Sequence, residues 1–352
     1  MRIAQVAPLS ESVPPKGYGG TERVVSWLTE ELVASGHDVT LFASGGSQTS
    51  ARFVPCSRAA LRLDPECQDP LPHHVLMVER VAEAAQNFDV IHFHIDYLHF
   101  QLSRAKDLCQ VSTLHGRLDI PDLVPLFKEF PEMPLVSISH AQRKPLNWAS
   151  WVGNVYHGLP ADLFKPQYSP EKYLAFLGRM SREKRPDRAI EIAIRLGIPL
   201  KMAAKVDRAD RDYFEREIKG LLNHHLIEFI GEIDESQKQD FLGNATACLM
   251  PIDWPEPFGL TMIESMACGT PVIAFRDGSV PEIITDGRNG FIVDSVEEAV
   301  EAVARISSIS RRDCRCEFET RFTAARMAAD YLRIYETQVC SSASEQDLAI
   351  QD

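Results

Sequence analysis

The chain has 352 residues, of which 45% are hydrophobic and 25% charged. This balance excludes fibrous and disordered proteins and is typical of a globular protein of about two domains. Because 50 acidic residues outnumber 37 basic ones and give a formal net charge of -13, we expect no nucleic-acid partner and at most peripheral contact with a membrane.

The sequence shows no signal for membrane insertion or export. No apolar stretch reaches the ~20 residues that a transmembrane helix needs, and a polar loop soon follows Met1–Pro8, where a signal peptide would continue apolar. The eight cysteines are scattered and form no Cys-x-x-Cys pair, so we expect neither a zinc ribbon nor a disulfide framework. We therefore expect a cytoplasmic protein.

In the first half of the chain, short β-rich runs alternate with helical patterns, which is typical of βαβ units on a parallel sheet. The predicted strands are Arg2–Ala7, Asp38–Ala43, Asp89–Phe93, Gln110–Leu114, Leu135–Ile138 and Asn154–His157. The predicted helices are Thr21–Ser35, Val75–Gln86 and a segment from His140 to Trp148. Proline and polar residues from Pro160 to Pro170 then predict a hinge, and we place a domain boundary after residue 165.

The alternation restarts after this hinge. The predicted strands are Tyr173–Leu177, Leu200–Ala204, Ile227–Ile230, Ala247–Met250 and Pro271–Ala274. The predicted helices are Pro186–Leu196, Arg211–Leu222, Ser236–Leu242, Phe258–Cys268, Val296–Ile306 and Phe322–Val339. The pattern predicts an α/β fold with two doubly wound Rossmann-like domains, residues 1–165 and 166–320, that face each other across a ligand-binding cleft. A polar tail, residues 341–352, is expected to be disordered.

The strongest motif is the run PEPFGLTMIESMACGTP from Pro255 to Pro271. It has Glu256 just before a predicted helix and Glu264 within that helix. Two such carboxylates can bind a long polyhydroxylated ligand, and the free N–H groups of Phe258, Gly259 and Leu260 can donate to oxygens between them. Taken singly, each glutamate is also explained by the helix dipole or by solvation.

This run resembles the E-x7-E motif of the retaining family 4 glycosyltransferases, which have the GT-B fold. The resemblance includes the loop KGYGGTERVV, the His-Gly pair after a central strand, the segment GRMSREK and the segment GSVPEI. It implies that Glu256, a catalytic residue, contacts donor-sugar hydroxyls, that Glu264 binds the ribose of the nucleotide, and that Pro257 lies beside them. It also implies an acceptor-binding first domain, a donor-binding second domain, and a final helix, residues 321–340, that packs back on the first.

The segment after the first strand of the second domain supplies cations. Charge grows on a departing diphosphate as the glycosidic bond breaks, so fixed cations stabilise it. By resemblance, Arg179 and Lys184 are catalytic residues that clamp the diphosphate, with Gly178 beside it. Lys205 follows the next strand, where many relatives have a Gly-x-Gly, and we expect it to supply a further cation in place of backbone donors.

The base of the nucleotide is not fixed by any residue. Glu232 and Ile233 occupy the segment that usually contacts the base through backbone groups, which leaves uridine, guanosine and adenosine open. We favour a UDP-sugar, with a GDP-sugar as the alternative.

The loop before the first long helix contains Gly19 and Gly20. It lies well beyond the first strand and lacks the form GxGxxG, so it fits a nicotinamide cofactor poorly. Small residues at a helix N-terminus let backbone donors approach a phosphate or sugar, and we expect both glycines to contact the donor.

The remaining candidate site residues are histidines and charged residues at strand ends of the first domain. By resemblance, His115 is a catalytic residue that hydrogen-bonds a hydroxyl near the donor sugar. Acceptor contacts are expected from Tyr18, Asp96 and Arg117. His92 and His94 alternate with apolar residues on a strand and are expected to be satisfied core histidines, because no third metal ligand accompanies them. No DxD-type motif stands at a strand end, so we expect transfer without metal or cofactor.

The expected function is retaining transfer of a sugar from a nucleotide sugar to an unknown hydroxyl acceptor: a sugar, a lipid-linked glycan or a small metabolite. One alternative is a GT-B sugar-nucleotide epimerase or hydrolase, which gives product without an acceptor. Another is a non-catalytic nucleotide-sugar-binding protein, which binds the donor without turnover.

Overall fold

A computed structural model describes residues 1–17 and 19–349 of the chain, with side chains up to residue 340. It divides into two compact units, Met1–Gly158 with the chain from Ala324 onward, and Leu159–Thr323. The division comes before the predicted boundary at residue 165 because the predicted hinge packs with the second unit. There, Arg315 donates to the carbonyls of Ala161 and Phe164 at 2.7 and 2.8 Å.

The first unit is a seven-stranded parallel sheet with the strand order β3-β2-β1-β4-β5-β6-β7. Up to residue 158 its elements are β1 (Arg2–Val6), α1 (Gly20–Ala34), β2 (Asp38–Ala43), β3 (Arg52–Pro55), α2 (Leu71–Glu83), β4 (Val90–Phe93), α3 (Phe100–Lys106), β5 (Gln110–Thr113), α4 (Leu123–Glu129), β6 (Leu135–Ser137) and β7 (Trp151–Asn154). The central strands β1, β4 and β5 are buried almost throughout, as expected of a parallel sheet covered on both faces.

Two predictions in this unit were wrong. The last strand is β7 rather than Asn154–His157, because Trp151 pairs in register with Leu135 and its indole donates to the carbonyl of Leu146 at 2.8 Å. The segment from His140 to Trp148 forms turns and one 3-10 turn, Lys144–Leu146, instead of a helix.

The second unit is a six-stranded parallel sheet with the order β10-β9-β8-β11-β12-β13. Its elements are β8 (Leu174–Arg179), α5 (Pro186–Leu196), β9 (Leu200–Lys205), α6 (Arg211–Tyr213), β10 (Ile227–Gly231), α7 (Glu235–Gly243), β11 (Ala247–Met250), α8 (Leu260–Ala267), β12 (Val272–Phe275), α9 (Val280–Ile283), β13 (Gly290–Val293), α10 (Val296–Ala304) and α11 (Arg311–Arg321). The helix predicted for Arg211–Leu222 is α6 followed by a π-helical turn, Phe214–Ile218.

The last helix, α12 (Ala324–Ala349), belongs to the first unit, where it contacts α1, β4 and β5. Tyr331 and Tyr335 on this helix are fully buried. The backbone of residues 341–349, predicted as a disordered tail, continues the helix, and residues 350–352 lie outside the described part of the chain. Within the described residues, none of the helices is both long enough and apolar enough to cross a membrane.

Candidate functional site

Arg179 is the last residue of β8, and three carboxylates surround its guanidinium. Nη2 donates to Oε1 of Glu183 at 2.6 Å, and Nη1 lies 3.8 Å from Asp207 Oδ2 and 3.7 Å from Asp210 Oδ2. Gly178 precedes it in the strand. The carboxylates hold the guanidinium at the carboxyl end of the sheet, where an anionic ligand can compete with them for its N–H groups.

Lys184 and Glu256, which are far apart in sequence, form an ion pair. Nζ of Lys184 donates to Oε2 of Glu256, and the indole of Trp254 donates to the same oxygen at 3.0 Å. The ammonium also lies 5.0 Å from the centre of the Trp254 ring, which is close enough for a cation–π contact. The sequence predicted the two charged residues as site residues but missed Trp254, which fixes both of them.

The loop after β12 determines where Glu256 lies. The Ser279 N–H donates to the carbonyl of Glu256 at 2.9 Å, and the Ser279 hydroxyl donates to the carbonyl of Phe258 at 2.8 Å. Gly278 has a φ of +51°, and a Cβ at this position would lie 2.3 Å from the backbone nitrogen and oxygen of Glu256. Only glycine therefore allows the close approach that anchors the segment before α8.

Glu264 is buried in α8 and paired with a lysine that the sequence analysis missed. Nζ of Lys238 donates to Oε1 of Glu264 at 2.6 Å, and the two side chains are only 14% and 3% exposed. Lys238 lies on α7, whose start is fixed by a capping box formed by Asp234 and Gln237. No motif marks Lys238; its role follows only from the packing of α7 beside α8.

The remaining predicted donor residues of this unit lie at the carboxyl ends of its strands. Lys205 ends β9, and its Nζ lies 3.0 Å from Asp207 Oδ1, so Asp207 links it to Arg179. Glu232 and Ile233 follow β10, and their side chains are exposed and half-buried, respectively. Pro257, Phe258, Gly259 and Leu260 lead from Glu256 into α8. Among the described residues, no group of three His, Cys, Asp or Glu side chains could hold a metal ion.

The first unit contains a cavity of about 340 Å³ at the carboxyl ends of β4 and β5. Its lining includes His94, Asp96 and His115. Nε2 of His115 lies 2.9 Å from Nδ1 of His94. His94 is buried, as predicted for a core histidine, and it also contacts a predicted site residue.

Burial shifts the ionisation of the groups at this cavity. It lowers the pKa of His115 to about 3, so the imidazole is neutral at physiological pH. It raises the pKa of the Asp96 carboxyl to about 6, although the residue as a whole is exposed at the mouth of the cavity. Asp96 also has left-handed backbone, with a φ of 53°. The cavity thus combines a neutral imidazole with a carboxyl group that exchanges its proton near neutral pH.

The other predicted site residues of the first unit either do not line this cavity or lie outside the described residues. Gly19 caps α1, its carbonyl accepts the Arg23 N–H at 3.2 Å, and Gly20 is the first residue of the helix. Arg117 is exposed and forms an ion pair with Asp119 at 2.7 Å, and it is not among the residues that line the cavity. Tyr18 lies outside the described residues.

Two family models match consecutive parts of the chain. Residues 18–158 match Glycosyltransferase Family 4, and residues 162–323 match Glycosyl transferases group 1. A phosphatidyl-myo-inositol mannosyltransferase of Mycolicibacterium smegmatis is 24% identical over 96% of this chain and 94% of the relative. A GDP-mannose-dependent alpha-(1-6)-phosphatidylinositol dimannoside mannosyltransferase of Mycobacterium tuberculosis is 34% identical, but over 45% of this chain and 42% of the relative. A Mycobacterium leprae phosphatidyl-myo-inositol mannosyltransferase is likewise matched over 39% of its length.

Solved structures show the same fold. The sucrose-phosphate synthase of Thermosynechococcus elongatus has a TM-score of 0.79 and 20% identity, over 97% of this chain and 100% of that chain. AviGT4, a glycosyltransferase involved in avilamycin A biosynthesis, has a TM-score of 0.74 and 22% identity, over 97% and 98%. Anabaena HepE in complex with UDP and glucose has a TM-score of 0.74 and 16% identity, over 96% and 100%. The fold is therefore GT-B, with two Rossmann-like domains.

The variant Asp96→Asn tests the carboxyl group at the cavity. Because the pKa of Asp96 is raised to about 6 in the folded chain, above the value of about 4 of an unfolded aspartate, the stability it contributes is fully present below about pH 4 and is lost as the pH rises through about 6. Asparagine tolerates left-handed backbone and does not ionise. We expect the variant to gain unfolding free energy relative to wild type across this window, measured by denaturant unfolding at several pH values.

Asp107→Asn is the matched control, because Asp107 also has left-handed backbone, with a φ of 49°, but caps α3 outside the cavity. It shows what asparagine does to a left-handed position by itself. A difference between Asp96→Asn and wild type that stays constant from about pH 4 to about pH 7 would contradict the shifted ionisation.

Proposed function

We propose that the chain, a glycosyltransferase, belongs to the GT4-like family and moves a sugar from a nucleotide sugar to a hydroxyl acceptor with retention of anomeric configuration. A UDP-sugar is the favoured donor and a GDP-sugar the alternative. The observation that carries this proposal is the pair of buried glutamates around the start of α8, Glu256 and Glu264, each held by a lysine.

These ion pairs fit the recognition of a sugar and a ribose. A carboxylate held by a lysine keeps a fixed orientation, and its lone pairs can accept hydrogen bonds from ligand hydroxyls. In the proposed site, Glu256 accepts from the donor sugar and Glu264 from the ribose, while the N–H groups of residues 258–260 donate to oxygens of the ligand.

The cations at the ends of β8 and β9 fit the diphosphate. Arg179 and Lys205 share Asp207, and Lys184 is paired with Glu256. We propose that donor phosphate oxygens replace Asp207 as the partner of Arg179 and Lys205. Lys184, whose ammonium has three N–H donors, binds a phosphate oxygen while it stays paired with Glu256. Negative charge grows on the diphosphate as the bond from the anomeric carbon to the phosphate oxygen breaks, so the fixed cations stabilise the transition state more than the ground state.

The rest of the reaction is assigned through the family resemblance. The acceptor hydroxyl attacks the anomeric carbon on the face that the diphosphate leaves, and its proton passes to a diphosphate oxygen. Transfer then needs neither a covalent glycosyl intermediate nor a metal ion. In the first unit, Asp96 binds the acceptor and His115 bonds to a sugar hydroxyl; Tyr18, Arg117 and the helix-capping glycines are further proposed contacts.

The relatives support a nucleotide-sugar donor. Three of them are mannosyltransferases by name, one of these is GDP-mannose-dependent, and one structural neighbour was solved with UDP and glucose. A GT-B epimerase or hydrolase would instead consume the donor without any acceptor, and a non-catalytic binding protein would not consume it at all. Product analysis with and without candidate acceptors separates the three.

Removing either proposed diphosphate-binding cation, Arg179 or Lys184, should slow turnover strongly. We expect Arg179→Ala and Lys184→Ala each to lower the rate of nucleoside diphosphate release by about 100-fold or more, the usual cost of removing one group that stabilises developing charge. Arg195→Ala is the matched control, since Arg195 pairs at the protein surface with Glu191 of α5 and Glu297 of α10. Near-normal rates in folded clamp variants would remove these residues from the site.

Thermal unfolding with UDP, GDP, ADP and their sugar derivatives tests donor binding. A ligand present at ~100 times its dissociation constant adds about 2.7 kcal/mol to the unfolding free energy. We expect Glu264→Gln to lose most of the gain from the bare nucleotide, and Glu256→Gln to lose mainly the additional gain from the attached sugar. Glu191→Gln on the surface of α5 is the control. Equal stabilisation of wild type and Glu264→Gln by the nucleotide would contradict the ribose contact.

A further inference from the structure

A continuous chain of hydrogen bonds connects His115 at the cavity to helix α12. Nε2 of His115 lies 2.9 Å from Nδ1 of His94, and Nε2 of His94 lies 2.8 Å from Oε1 of Gln5. The amide nitrogen of Gln5 donates to the hydroxyl of Tyr335 at 3.1 Å. Gln5, His94 and Tyr335 are all buried, so water does not interrupt this chain.

The direction of each proton follows from the glutamine. The carbonyl oxygen of Gln5 can only accept, so Nε2 of His94 carries a proton. Burial lowers the pKa of His94 well below its ordinary value, so the ring is neutral and its Nδ1 is an acceptor. Nε2 of His115 must then donate to it. Since His115 is neutral as well, its Nδ1 carries no proton.

The opposite direction is disfavoured. Reversing the Gln5 amide would reverse both imidazoles and place a proton on Nδ1 of His115. That nitrogen is buried and has no hydrogen-bond partner among the described residues. A buried N–H group without an acceptor is rare in folded proteins and costs about 1–3 kcal/mol.

The hydrogen bonds from Tyr335 to His92 and from His92 to Thr113 are consistent with these proton positions. Its hydroxyl accepts from Gln5 and lies 2.6 Å from Nδ1 of His92, to which it donates its own proton. Nε2 of His92 then donates to the hydroxyl oxygen of Thr113 at 2.7 Å. Every proton in the chain from Thr113 to His115 therefore has an acceptor.

We propose that His94, Gln5 and Tyr335 are positioning residues that hold His115 in the tautomer with its proton on Nε2. Its Nδ1, which is buried in the unliganded chain, then accepts a hydrogen bond from a substrate hydroxyl when a ligand at the cavity displaces the atoms that cover it. This assignment rests on the proposed function for the substrate contact only. A bare Nδ1 selects a group that has a proton to donate. It therefore favours an alcohol or sugar hydroxyl over an oxygen that can only accept, such as that of an ionised phosphate or carboxylate.

NMR spectroscopy of the full chain with 15N-labelled histidine reads the tautomer directly. We expect the two nitrogens of His115, assigned by comparison with His115→Gln, to resonate as an unprotonated Nδ1 and a protonated Nε2. Tyr335→Phe removes the acceptor that orients Gln5, and His94→Phe removes the partner of His115. Both variants should convert the single tautomer into a mixture.

Tyr331→Phe is the matched control. Tyr331 lies one turn earlier on α12 and is equally buried, but its hydroxyl bonds to Thr113 Oγ1 at 2.9 Å rather than to Gln5. This variant should keep the wild-type tautomer of His115. A protonated Nδ1 in the wild type, or an unchanged single tautomer in both Tyr335→Phe and His94→Phe, would overturn the proposal.

The substrate contact is tested separately with UDP-glucose. A hydroxyl bonded to Nδ1 should move its resonance towards the protonated position. If UDP-glucose raises the melting temperature but leaves this resonance unmoved, the contact is contradicted and the tautomer stands. The spectrum of the unliganded chain does not depend on turnover, so failure of the transferase proposal is distinguishable from failure of the tautomer assignment.

Discussion

Parallel pairing of the strands is the constraint that brings the candidate residues together in each unit. All carboxyl ends of a parallel sheet lie along one edge, where doubly wound folds bind their ligands. Arg179 and Lys205 therefore come to share Asp207 although a helix separates their strands along the chain. The same constraint places Asp96 and His115 at one cavity of the first unit. Neither grouping requires the residues to be close in sequence.

Buried ion pairs then fix the orientation of the charged side chains within the second unit. Taking a carboxylate and an ammonium out of water is costly, and a well-packed apolar pair often stabilises a fold as well as a buried ion pair does. The pairs Lys184–Glu256 and Lys238–Glu264 are mostly buried. We propose that these pairs serve ligand recognition rather than stability, because a fixed carboxylate needs little reorganisation when a hydroxyl reaches it. In the first unit, neutral groups do the same: the hydrogen bonds from Tyr335 through Gln5 and His94 hold the imidazole of His115 in one orientation.

The sequence predicted the alternation of strands and helices in both units, but it missed β3, α3, α4, α9, β13 and α11. For two of these elements the physical reason is plain. β3 is an edge strand whose residues are only partly buried, and α11 (RRDCRCEFETR) is too polar to show a clear apolar face. In the site, a motif marked Glu264 but nothing marked Lys238, since a lysine in a polar helix is ordinarily solvated. His94 was predicted as a core residue and is buried, but strand periodicity could not reveal that it bonds to His115.

Hydrogen exchange of the backbone amides, with and without a nucleotide sugar that raises the melting temperature, tests the central claim most directly. We expect the ligand to protect residues 178–184 and 256–264, where the paired cations and carboxylates lie. A ligand that stabilises the chain yet leaves both segments exchanging at their unliganded rates would contradict it, because the nucleotide sugar would then bind elsewhere.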